Sequence, residues 1–74
     1  MVKTFNSAKY GTITVTRTQD SYRSNHLFTS DRVVTKEESC ILQEYMGYHP
    51  SGYSFENYKT TATHSTWECW HSCD

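Results

Sequence analysis

Seventy-four residues make one domain, spanning residues 1–74, close to the size below which a single core no longer holds a chain together unaided. Seven Lys plus Arg against eight Asp plus Glu give a formal charge of −1, which argues against both a nucleic-acid binder and a polyanionic mimic of DNA. Only 35% of the residues are hydrophobic and many of those are tyrosine, so help from a second subunit is expected and the chain reads as a homo-oligomer.

Met1-Val2-Lys3-Thr4-Phe5 lacks the apolar core of a secretory signal. No apolar run approaches the roughly 18 residues that a membrane span needs. Three cysteines, an odd number, fit a reducing compartment better than a disulfide framework. A soluble intracellular protein that makes no membrane contact is therefore expected.

The first strong element is Thr12-Ile13-Thr14-Val15-Thr16-Arg17, where β-branched apolar and polar residues alternate as in a half-buried strand. Val2 to Phe5 can pair with it across Asn6-Ser7-Ala8-Lys9 as an N-terminal hairpin. Residues 18 to 34 show no sustained period and read as a long loop, with a short strand at Arg32-Val33-Val34. Thr35-Lys36-Glu37-Glu38 is a capping box, in which the Thr35 hydroxyl and the Glu38 carboxylate each accept the other residue's amide. The helix it opens is expected over residues 36–46, packed through Ile41, Leu42 and Tyr45, with Gly47 suited to the left-handed position beyond its end and Pro50 soon after. Cys40 within it reads as a small buried hydrophobe.

Tyr53 to Thr61 and Ser65 to Ser72 read as a hairpin around Ala62-Thr63-His64. The last eight residues hold both tryptophans and two of the three cysteines. On a strand, Trp67, Cys69, His71 and Cys73 share one face, while Glu68, Trp70 and Ser72 take the other. Trp70 is then expected to be shielded by the helix, a loop or a second subunit. Together these elements predict an α+β fold, an antiparallel sheet of three or four strands with one helix packed on one face.

His64, Cys69, His71 and Cys73 are the residues with metal-ligand chemistry. Residues i and i+2 on a strand stand about 6.6 Å apart on one face, so Cys69 and His71 suit two arms of one site, which Cys73 would join if the terminus curls. The spacing matches no paired Cys-x-x-Cys module, and a packing role is the stronger reading. No metal or other cofactor is expected; were zinc present, Cys69, His71 and Cys73 would be its ligands. No local signature marks Cys40, Cys69 or Cys73 as a nucleophile, and scattered Gly11, Gly47 and Gly52 do not form a phosphate-cradling loop. An enzyme is not expected. Arg17, Arg23 and Arg32, with Tyr22 and His26, offer charge for a phosphate and rings for a base, although a solvated loop accounts for them more simply.

Glu44-Tyr45-Met46-Gly47-Tyr48-His49-Pro50-Ser51-Gly52-Tyr53-Ser54-Phe55, followed by Ser65-Thr66-Trp67-Glu68-Cys69 and Ser72-Cys73-Asp74, resembles short uncharacterised proteins of bacteriophages and other mobile elements, with Thr66 directly before Trp67. The likeness covers the last 35 residues or so. In those proteins a Gly-Tyr-x-Pro-x-Gly-Tyr segment precedes a Thr-x-Trp-x-Cys ending. The resemblance implies a bacterial host cytoplasm and an accessory or counter-defence role, by stoichiometric binding and inhibition of a host protein or complex. Tyr and Trp are enriched at interfaces, which makes Tyr48, His49, Tyr53, Phe55 and Trp70 the expected partner-binding residues. Two other readings stand beside this one: a sponge that sequesters a small nucleotide through the loop arginines, and a zinc-stabilised module that binds nucleic acid.

Overall fold

A computed structural model describes residues 2–19, 22–49 and 52–72. Its elements run β1 (Val2–Ser7), β2 (Gly11–Gln19), β3 (Arg23–Ser30), α1 (Lys36–Tyr45), β4 (Glu56–Thr60) and β5 (Ser65–Ser72). All pairings are antiparallel and the spatial order is β1-β2-β3-β5-β4, so β5 is inserted between β3 and β4. The architecture is α+β, with five strands instead of three or four.

Alternation along β2 sends Ile13 and Val15 into the core and leaves Thr12, Thr14 and Thr16 half-buried on the opposite face. β1 closes the expected N-terminal hairpin, pairing Phe5 with Ile13 and Ser7 with Gly11. Gly11 is required here: its φ is +83°, and a Cβ would lie 2.1 Å from Asp31 Oδ1. That carboxylate accepts the Thr12 amide at 3.0 Å.

The long loop expected over residues 18 to 34 is instead mostly sheet. β2 continues to Gln19, and β3 pairs with β2 on one side and β5 on the other. Its inward residues are Ser24, His26, Phe28 and Ser30, all buried. Three of the four are polar, which hides the period of two from a hydrophobicity reading; pairing on both edges outweighs weak local propensity. The strand expected at Arg32-Val33-Val34 is absent, and those residues form an irregular crossover. Ser65 Oγ fastens it by accepting the Val34 amide and donating to the Val34 carbonyl, both at 3.0 Å.

The capping box forms as expected, with Glu38 N to Thr35 Oγ1 at 3.0 Å and Thr35 N to Glu38 Oε1 at 2.9 Å. The helix ends at Tyr45, Met46 is its C-cap, and Gly47 follows at φ +99°. Its packing face differs from expectation. Ser39, Leu42 and Gln43 are buried, whereas Cys40, Ile41 and Tyr45 are exposed. The helix is rotated so that two small or polar side chains turn inward, where Ser39 Oγ and Gln43 Nε2 find hydrogen-bond acceptors while Gln43 Oε1 has none among the described residues. Ser39 Oγ donates to the Lys36 carbonyl at 2.6 Å, and Gln43 bonds to the connector described below.

The core joins Leu42 and Val34 to Ile13, Val15, Phe28, Trp67 and Cys69 from the sheet. Trp67, fully buried, stacks on Phe28 with ring centroids 5.1 Å apart and planes within 5°. β4 begins at Glu56, later than the Tyr53 start expected, and a register shift follows before Lys59, where Asn57 adopts φ +55°. On the helix-free face the register aligns Thr4, Thr14, Thr29 and Thr66 in one row across four strands.

Candidate functional site

The turn of α1 that carries Ile41 and Tyr45 stands out from the sheet. Ile41 is 53% exposed and Tyr45 75%. On one side, the helix and the β1–β2 hairpin enclose a groove of about 360 Å³ walled by Phe5, Tyr10, Ile41, Leu42 and Tyr45. Phe5 and Tyr45 meet there with centroids 5.5 Å apart. On the other side, Cys40, Ile41, Gln43 and Glu44 face Tyr48, Tyr53 and Phe55 across a groove of about 200 Å³. Three of the five predicted partner-binding residues, Tyr48, Tyr53 and Phe55, are thus brought together beside a helix ridge that sequence reading placed inside.

The connector between α1 and β4 is built largely by backbone bonds. The Tyr48 amide donates to the Gln43 carbonyl at 2.9 Å, and the Tyr53 amide donates to the His49 carbonyl at 3.0 Å. Gln43, only 4% exposed, donates from Nε2 to the carbonyls of Ser54 (3.0 Å) and Tyr48 (3.3 Å). Ser54 in turn bonds to β5, its amide donating to the Trp70 carbonyl at 3.1 Å and its Oγ accepting the Trp70 amide at 3.1 Å. Predicted His49 is exposed at the rim, its Nδ1 4.0 Å from Glu44. Gln43 was not expected to matter; its one sequence signal is a polar residue beside Leu42 on a helix short of apolar ones.

Trp70, the fifth predicted contact, lies on the other sheet face and is half-buried. Its indole N–H donates to Glu56 Oε1 at 2.9 Å, and the Arg23 guanidinium lies 5.0 Å from its ring centroid. Its shielding thus comes in part from its own chain. The predicted arginines diverge: Arg23 covers Trp70, Arg32 stands near Gly11 at the opposite end of β3, and Arg17 lies on the helix side of β2. Arg17 Nε donates to Ser24 Oγ at 2.8 Å and Nη2 to Gln19 Oε1 at 3.0 Å.

Beyond the end of the helix, the sheet and the connector leave a cleft of about 220 Å³ lined by Lys3, Val15, Arg17, His26, Tyr48, Tyr53 and His71. His26 is stacked on His71 with centroids 6.0 Å apart, and Tyr48 and Tyr53 meet edge to face at 5.1 Å. Burial first, then the positive charge of His71, Arg17 and Lys3, lowers the His26 pKa. Burial raises that of Tyr48.

Cys69 is buried on the core face and its thiol is pushed up to about 12, chiefly by burial, the reverse of what a thiolate nucleophile or ligand needs. Among the described residues no group of three His, Cys, Asp or Glu side chains is placed to hold a metal ion. Cys73, the remaining member of the zinc set considered from sequence, lies outside the described residues. Among the described residues no helix is long and apolar enough to cross a membrane. No protein-family model matches the chain, and no curated protein or solved structure matches it significantly.

Proposed function

We propose that the protein is a phage-type accessory or counter-defence factor that acts in the bacterial cytoplasm by stoichiometric binding to a host protein, without turnover. One observation carries this reading: Ile41 and Tyr45 are held exposed on a capped helix, with an aromatic-walled groove on either side. Burying either side chain against a partner is worth about 1.5–3 kcal/mol, the scale of an interface hot spot. Glu37 and Glu44, one turn from Ile41 on either side, rim the ridge, and the last turn carries no basic residue. The partner surface that fits is therefore an apolar patch with a basic border.

Photo-crosslinking from position 45 in bacterial cells tests the proposal. A dominant adduct with one host protein is expected, and the purified pair should lose at least about tenfold in affinity on Ile41→Asp, with unchanged circular dichroism. No adduct, or an adduct indifferent to Ile41→Asp, would sink it.

The same exposed ridge favours a second reading, a homo-oligomer joined through α1. Sedimentation should then give a dimer at micromolar concentration that Ile41→Asp dissociates. A monomer in both cases leaves the ridge to a foreign partner.

A further inference from the structure

We propose that the cleft beyond the end of α1 binds the dianionic phosphoryl group of a small phosphate monoester, with Lys3 and Arg17 meeting its charge and the His26 and His71 imidazoles its oxygens. This site is separate from the α1 ridge, although Tyr48 and Tyr53 wall both.

The register of the sheet assembles the site. Lys3 pairs with Val15, Arg17 lies two residues along on the same face, and His26 is opposite Arg17. His71 is opposite Ser24, one inward position from His26. Four nitrogen-bearing side chains from four strands therefore converge, in a chain whose formal charge is −1. The bonds from Arg17 to Ser24 and Gln19 fix the guanidinium beside the cleft, which suits a planar group used for recognition of an anion.

His26 is only 5% exposed, and its Nδ1 has no hydrogen-bond partner among the described residues; the same is true of His71 Nδ1. Buried polar atoms are nearly always paired, so two orphaned imidazole nitrogens in adjacent stacked rings mark a place where a polar ligand restores hydrogen bonding. The charged neighbours of His26 are Lys3 and Arg17, both of positive sign, which favours an anion at this part of the core face.

Size and shape narrow the ligand. A cleft of about 220 Å³ is smaller than the roughly 300–1,000 Å³ of drug-sized sites, which suits a phosphoryl group with at most one planar ring resting on Tyr48 and Tyr53. Two permanent cations flanked by two imidazoles match a dianion better than a carboxylate. Free phosphate and a nucleoside monophosphate share that chemistry.

Amide and histidine side-chain NMR of the full chain at neutral pH, titrated with sodium phosphate, adenosine 5′-monophosphate and sodium acetate, tests the assignment. Saturable shifts at His26 and His71 are expected with phosphate and the nucleotide, at dissociation constants of about 1 mM or tighter, and not with acetate. Lys3→Gln and Arg17→Gln, both at exposed positions, should each weaken binding about tenfold, while Ile41→Asp leaves it unchanged. A nucleotide advantage removed by Tyr53→Ala identifies a monoester with a stacked ring, and equal affinities identify the phosphoryl group alone. No shift at about 20 mM phosphate or nucleotide, equal binding of acetate, or wild-type affinity in both charge variants would overturn the proposal.

Discussion

The Gln43 carboxamide donates to the carbonyl oxygen of Ser54 at 3.0 Å, and through that bond the helix holds the connector that walls both the groove and the cleft. Gln43→Ala leaves the Tyr48 and Ser54 carbonyls without this donor and should lower stability by about 1–3 kcal/mol. Gln43→Glu should be worse at neutral pH, since it sets a carboxylate against two carbonyl oxygens. Denaturant titrations rank the three proteins, and faster amide exchange at residues 52–55 in the variants would localise the effect.

Ser65 should tolerate substitution poorly for a related reason. Its hydroxyl both accepts the Val34 amide and donates to the Val34 carbonyl in a buried setting, so Ser65→Ala strands the Val34 amide, while the carbonyl keeps the Tyr58 hydroxyl as a donor. A loss of about 1–3 kcal/mol is expected, with Ser65→Cys failing to restore it because a thiol is a weaker partner. A change in denaturation midpoint as small as that of a surface Ser→Ala substitution would refute the role.

Acid should destabilise the fold through His26. Its folded-state pKa lies below the ordinary imidazole value of 6.5, so the unfolded chain takes up the proton first as pH falls. Stability is fully present above 6.5 and is lost progressively as pH drops through the lowered folded value. Arg17 and Lys3 face the ring with positive charge, the His71 ring also disfavours its protonation, and Tyr48 and Tyr53 cover it, so none of them offsets its protonation. Thermal melts of His26→Gln should show a flatter midpoint between pH 7 and pH 5 than wild type. An identical slope would assign the acid loss elsewhere.

The two described cysteines should differ sharply in reactivity. Cys40 is exposed on α1, whereas Cys69 is buried with its thiol raised to about 12. Site-resolved mass spectrometry after brief iodoacetamide treatment at pH 8 should find Cys40 modified and Cys69 protected until denaturant is added. Bulky modification of Cys40, which borders the groove with Tyr53 and Phe55, should also block partner binding.

Elements with strong local chemistry were legible in the sequence: the Thr35 to Glu38 box, the left-handed Gly47, the β2 alternation and the opposed faces of Trp67 and Trp70. β3 was not, because Ser24, His26 and Ser30 occupy inward positions that a pattern reading reserves for apolar residues. The helix rotation was hidden for the same reason. Gln43 goes inward to acceptors supplied by Ser54 and Tyr48, which nothing along the chain announces, and Ser39 can follow because its hydroxyl bonds back to the Lys36 carbonyl of its own helix. The tyrosines of the groove were singled out on composition, whereas the partnership of His26 with His71 arises only from a register spanning distant segments.

The insertion of β5 between β3 and β4 has a kinetic consequence. β1, β2 and β3 pair in the order they follow in the sequence and can zip locally, but the pairs Arg23↔Ser72 and Thr29↔Thr66 close a loop that contains α1 and β4. Until then Phe28 has no Trp67 to stack upon, and the nascent meander displays a bare strand edge beside an uncovered aromatic ring. Docking of β5 is therefore the step expected to limit folding, so substitutions that stabilise α1 should speed folding more than equal gains in the β1–β2 hairpin, which stopped-flow refolding of the two sets would check.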